Sequence, residues 1–450
     1  MVMGFPDPEL SRRTFAGASA VVLARMAARG PGASAPAPGD VRVTDDDYAA
    51  HIEPSIAANP RDPDNLIVAC RVFLGPQIGV AAYCSFDAGR SWHGSGLMPD
   101  LPSDFDGNPT VAFDPHGCGY VSAIRANGPG RQPRLGDALL WRTDDGGRTF
   151  RPPVTAIAGG GGLVDHPWLA IEPTAHGDAD TASLYMAATM YVGGQAGPTQ
   201  NVVLVRSFDR GRSFDQPRRI DPTPGAQTTI PVLAAGGGGR LCALYFAVSS
   251  AGGTLRAVTS ADRGETLAPP VDLCTIRELA PDLGSVTAKS GPAVAASARS
   301  GHVYAAVTAF DESSVTSSLL LLASADHGRT WSAPVVVASS GQSLYLQPQL
   351  AVDGRGRVGL SVYALSIATV QMDVLFFLSE SPQPAFGPPR RVTSRSFDPR
   401  DAAGTGSTSW IGNYQGLAAR AAAGDSGAFC PVWTDTRTGG AQIFTAAVAP

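Results

Sequence analysis

The chain has 450 residues, 44% of them hydrophobic and only 16% charged, which is too apolar and too weakly charged for a disordered polymer. Its 52 Gly and 37 Pro make up about a fifth of the sequence, above ordinary usage yet short of a low-complexity chain. A net charge of −5 gives no basic excess and argues against nucleic acid as a partner, and with no run of 18 apolar residues neither a membrane span nor a membrane anchor is expected.

In chain order, the first feature is Ser11-Arg12-Arg13-Thr14-Phe15, a twin-arginine pattern ahead of a weakly apolar run over residues 16–24 and the small residues Ala33-Ser34-Ala35. Residues 1–40 are therefore read as an export signal and linker, and the protein as secreted or periplasmic. Arg25 and Arg29 are atypical for such a segment, and an ordinary N-terminal arm is the other reading. Residues 41–450 are expected to form one domain. Six cysteines follow without any C-x-x-C spacing, so no zinc site is indicated. Cys70 and Cys84 flank the turn Gly75-Pro76-Gln77-Ile78 and are expected to lie opposite each other, as a disulfide or simply packed.

A repeat then dominates the sequence. Strand-like segments begin at Glu53-Pro54, Asn108-Pro109, His166-Pro167, Ile230-Pro231, Gly291-Pro292 and Gln347-Pro348, with a seventh at Gly412-Asn413-Tyr414 that lacks the proline. A proline opening a strand is where a sheet tolerates it. After each comes a second apolar strand, and in five units a tight turn follows the third: Ser85–Trp92, Thr143–Phe150, Ser207–Phe214, Ser260–Leu267 and Ser324–Trp331. Asp87, Asp145, Asp209, Asp262 and Asp326 are the carboxylates of these turns, poised to accept backbone N–H groups while Gly supplies a positive φ. The last unit is one strand short, and residues near Val41–Thr44 are expected to supply it and close a ring.

This S-x-D-x-G-x-[ST]-[WF] pattern resembles the Asp-box of the sialidase-like superfamily. The resemblance implies an all-β propeller over residues 41–450, of seven blades or, as in sialidases, six, with the boxes away from the substrate face. Blade geometry then sorts the candidates on the opposite face. Glu53, Asp106, Asp165, Tyr363 and Tyr414 are the catalytic candidates, as carboxyl proton donors or a tyrosine nucleophile. Arg71, Arg125 and Arg437, with His166, Trp410 and Asp435, are the substrate-binding candidates, the arginines gripping an acidic sugar's carboxylate.

The sialidase R-I-P motif is absent; Arg71-Val72-Phe73 stands in its neighbourhood, and Asp435-Thr436-Arg437 also reads as a hairpin turn with an internal ion pair. All but one of the 34 basic residues are arginine, Lys289 being the exception, so an arginine's presence says little by itself. No cofactor or metal is expected. Two readings stay open for a monomer acting on a glycan or glycoconjugate. One is hydrolysis of a terminal acidic sugar. The other is a non-catalytic propeller that binds carbohydrate or protein at its channel mouth.

Overall fold

The computed structural model describes residues 39–450 apart from 76, 100–104, 128–134, 174–180, 194–198, 250–251, 277–285, 288–289, 403–408 and 421–426. The twin-arginine segment lies outside the described residues. Within them the regular secondary structure is nearly all strand, and no helix is long and apolar enough to cross a membrane.

Among the described residues the strands group into seven four-stranded antiparallel units, apart from a short parallel pair of Val286–Thr287 with Ser409–Trp410. The first unit runs Ala50–Ala58, Leu66–Leu74, Gln77–Ser85 and His93–Leu97, each strand pairing with the next. The second and third are joined by one parallel bridge, Leu163 to Gly136. The seventh takes Gly416–Arg420, Ala428–Asp435 and Gln442–Thr445, and is completed from the other end of the chain. Val41–Arg42 pairs antiparallel with Gln442–Thr445, Val41 facing Thr445 and Arg42 facing Phe444.

The first strands touch in cyclic order: Ala50–Ala58, Phe105–Phe113, Leu163–Ile171, Gln227–Ala235, Ala293–Ala296, Ser343–Val352, Gly416–Arg420 and back to Ala50–Ala58. The apolar core is divided accordingly, with one cluster at each junction between neighbouring units. Ile67 and Val121 meet between the first and second, Tyr185 and Tyr245 between the third and fourth, Tyr363 and Phe429 between the sixth and seventh, and Val68 and Val432 where the ring closes. Each sheet is covered on both faces, so strands such as Leu66–Leu74 are apolar nearly throughout rather than alternating. The architecture is an all-β propeller.

The five turns share one hydrogen-bond pattern. In the first, Ser91 donates its N–H to Asp87 Oδ1 (2.9 Å) and its hydroxyl to Oδ2 (2.6 Å). The Ser85 hydroxyl donates to Oδ1 (2.8 Å) and accepts the Gly89 N–H (2.9 Å). Asp145, Asp209, Asp262 and Asp326 repeat it. Ala88 and Gly89 both take positive φ, 66° and 84°, as in a type I′ hairpin turn. These turns follow third strands, whereas first strands begin and second strands end at the opposite edge of each unit.

Two sequence expectations need correction. In five units the proline does not open the first strand: Ala50–Ala58 starts well before Pro54 and carries it inside, at a bulge, whereas Pro292 directly precedes Ala293–Ala296. Cys70 and Cys84 do not face each other. The hairpin pairs Leu74 with Gln77, which sets Cys70 opposite Ala81 and Cys84 opposite Ile67; both thiols are free, and they pack into cores on opposite sides of the sheet. Just after the ring-closing strand, Asp46 accepts the Tyr83 hydroxyl (2.5 Å) and bonds His51 Nε2 (2.8 Å), holding that segment on the first unit.

Candidate axial site

In five of the seven first strands, two residues stand opposite one. Glu53 and Pro54 face Cys70 alone, and the same irregularity occurs at Asn108-Pro109, His166-Pro167, Ile230-Pro231 and Gln347-Pro348. The residue before each proline adopts left-handed φ: Glu53 56°, Asn108 52°, His166 51°, Ile230 53° and Gln347 54°. This is costly for a non-glycine residue, especially β-branched Ile230, and is held in place only because the surrounding sheet dictates it. The bulge supplies proline with a place where no ladder N–H is needed. It also re-aims the preceding side chain.

Four of these re-aimed residues, Asn108, His166, Ile230 and Gln347, line a cavity on the ring axis, together with Trp168, Gln349, Asn413 and Tyr414. The space, its open mouth included, is about 510 Å³. Residues from six units contribute to the wall, four of them through their first strands. Among the described residues, the lining contains no arginine and no carboxylate.

Behind this wall runs a buried polar chain. Arg71, 2% exposed, pairs with the fully buried Glu53 (3.2 Å) and donates to Asn108 Oδ1 (3.1 Å). Asn108 Nδ2 donates to Asp165 Oδ1 (2.6 Å), which also accepts the His166 N–H (2.9 Å). His166 Nδ1 lies 3.1 Å from Asp165 Oδ2. Gly107 lets Arg71 through, because a Cβ there would lie 1.8 Å from its guanidinium. Tyr414 caps the chain and donates to Pro109 O (3.1 Å); burial, then the charge of Glu53, pushes its phenol well above the ordinary range.

The structure thus brings together Glu53, Arg71, Asp165, His166 and Tyr414 from the sequence candidates, and places the others elsewhere. Arg125 pairs with Asp137 (3.2 Å). Arg437 pairs with Asp435 (2.5 Å) and Asp40 (2.6 Å), holding the ring-closing segment. Each arginine of the expected triad therefore sits on its own carboxylate, and none lines the axial cavity. Asp435 is fully buried and also accepts the Trp433 indole N–H (2.9 Å). Tyr363 is core: its hydroxyl bridges to the Thr434 backbone, and burial pushes it far up. The side chains of Asp106 and Trp410 lie outside the described residues.

Asn108, Trp168 and Gln347 are site residues that sequence reasoning missed, and Gln415 lies against Gln347. The X of each X-Pro pair was the available signal for the first and third. Gln347 Nε2 donates to Gly412 O (2.7 Å) and Gln415 Nε2 to Gln347 O (2.9 Å), which leaves both Oε1 atoms buried without a hydrogen bond.

No protein-family model and no curated protein matches the chain. Solved structures do. A protein of unknown function from Dyadobacter fermentans is 11% identical with a TM-score of 0.53, over 75% of this chain and 97% of that one. An ulvan lyase (11%, TM-score 0.49) covers 73% of this chain and 78% of its own, and an α-L-arabinanase of Penicillium chrysogenum complexed with arabinobiose (15%, TM-score 0.48) covers 75% and 98%. At such identity a likeness is one of fold, so the Dyadobacter protein speaks for the backbone of this propeller, and the chemistry of the axial site rests on this chain's own side chains.

Proposed function

We propose that the protein engages a glycan at the mouth of the axial cavity, as an exported carbohydrate-binding or carbohydrate-processing propeller. The observation that carries this reading is the wall itself. Four of the five strained X-Pro bulges set side chains into the lining, which combines amides (Asn108, Gln347, Gln349) with Trp168, Tyr414 and His166. Backbone strain concentrates where a site is preorganised. A few polar groups set among apolar and aromatic surface are what a sugar's hydroxyls and C–H faces require.

Hydrolysis of a terminal acidic sugar remains the finer reading taken from the sequence. It needs several arginines in one pocket, and the separate ion pairs of Arg71, Arg125 and Arg437 count against it. Asp165, with 23% of its side chain exposed beside His166, is the carboxylate best placed for proton transfer if the protein cleaves what it binds.

A glycan array probed with the purified protein, read together with release of reducing ends from the same glycans, tests the proposal. Binding is expected, and Trp168→Ala and the volume-conserving His166→Gln should each weaken it about tenfold. Wild-type affinity in both variants would refute the axial location.

A further inference from the structure

The wall of the axial cavity has two unlike sides, and its apolar side carries one step more. We propose that the ligand seats a methyl group there, as a 6-deoxyhexose does where an ordinary hexose has a hydroxymethyl group. The proposal rests on the reading of the axial cavity as a glycan site.

In ring order the wall divides into two arcs. Units six, seven and two, with His166 of unit three, present amides, the imidazole and the Tyr414 phenol. From Trp168 through units four and five the wall presents Ile230, Pro231, Val232, Gly291 and Pro292, none of which has a polar side chain. Trp168 and Ile230 pack on one shared core cluster, and both keep part of their surface open. Backbone donors are few on this arc. Its two prolines have no N–H, and the Ile230 N–H is taken by the Thr189 hydroxyl (3.2 Å).

Ile230 is the telling residue. It holds the same bulge position as Asn108, His166 and Gln347, at a φ of 53°. Asparagine and histidine enter the left-handed region more readily than a β-branched residue, for which it is a genuine outlier. An apolar, branched side chain is therefore kept at this point of the wall against backbone strain. Its neighbour makes room for it. A Cβ on Gly291 would lie 2.9 Å from Ile230 Cγ2, and Gly291 has no left-handed φ that would otherwise call for glycine.

A sugar with an exocyclic methyl group fits both arcs. Its ring hydroxyls meet the amides, and its methyl meets Ile230 and Val232. The hydroxymethyl of an ordinary hexose would set an O–H against side chains that cannot accept it, and an acetamido group would add an unpaired amide.

The test is isothermal titration of the full chain with sugars paired by configuration: L-rhamnose against L-mannose, L-fucose against L-galactose and D-quinovose against D-glucose, with N-acetyl-D-glucosamine alongside. The 6-deoxy member of at least one pair is expected to bind roughly 10- to 100-fold more tightly than its parent, the scale on which an apolar pocket separates ligands differing by one hydroxyl. Ile230→Asn relieves the backbone and should keep the unfolding temperature near that of the wild type while bringing the two affinities together. Should it fail to fold, Ile230→Val, the same shape less one methyl, is expected to lower the ratio about fourfold. An unchanged ratio in the variant, parents bound as tightly as their 6-deoxy forms, or N-acetylglucosamine bound most tightly overturns the inference while leaving the glycan site standing. So does a glycan array on which only glycans without a 6-deoxy sugar bind. If no glycan binds in either measurement, the glycan reading itself falls and this inference with it.

Discussion

Asp326 and its four counterparts show how a carboxylate earns a structural place without chemistry at the axis. Each closes a turn by accepting an N–H and a hydroxyl from the residue four positions on. For Asp87 and Asp326 burial pushes the carboxyl up, but the hydroxyl and backbone donors outweigh it and bring the group down to about 2; Asp262 is brought to about 2 by the Thr266 hydroxyl and N–H. A group depressed in the folded state stabilises above its unfolded value near 4, and that contribution is lost as pH falls through the folded value. Thermal unfolding should therefore weaken between about pH 4 and pH 2. Asp326→Ala should cost on the order of 1 kcal/mol at neutral pH, the low end for lost hydrogen bonds because the carboxylate faces solvent. It should also lose less of its remaining stability across that acid window than the wild type. A variant curve parallel to the wild-type curve would contradict the assignment. This residue-scale chemistry was legible in the sequence because carboxylate, glycine and hydroxyl all lie within a few residues of one another. The ion pairs were not legible: Arg71 meets Glu53, and Arg437 meets Asp40, only through the fold.

The bulged first strand is the element on which the site depends. Its periodicity was readable, but its start was misplaced. A proline inside a strand looks like a boundary unless the chain has a bulge to absorb it, and nothing local in the sequence announces two residues standing opposite one. The same limit explains the cysteine pair. A hairpin centred about one and a half residues earlier reverses which face a side chain occupies, so Cys84 faces Ile67 instead of Cys70. Gly107 gives the element its sharpest test, because any Cβ there collides with the buried Arg71 guanidinium. Gly107→Ala should lower stability by about 1–3 kcal/mol, as overpacking does, with the displaced Arg71 releasing Asn108 and Asp165. Chemical denaturation read beside glycan affinity checks this; wild-type values in both would show that Arg71 does not hold the chain.

At the scale of the whole molecule, one core cluster per junction makes the ring cooperative only if it is closed. The closure is Val41–Arg42 on Gln442–Thr445, reinforced by the Arg437–Asp40 pair, Asp46 with His51 and Tyr83, and Thr44 with Gln442. Removing residues 1–38 should leave unfolding unchanged. Removing 1–47 should expose the edge of the seventh unit, lower the unfolding temperature and promote association, measured by thermal scans and size-exclusion chromatography. Identical behaviour of the two truncations would refute closure by this strand. Seven first strands converging on one axis also explain why residues from six units build a single cavity, a juxtaposition no linear reading of the chain displays. The most direct measurement is a crystal structure of the protein with a bound oligosaccharide. Sugar density is expected in the axial cavity against Trp168, beside Asn108 and Gln347. Sugar bound instead on the face of the Asp87 and Asp326 turns, with the axial cavity empty, would contradict it.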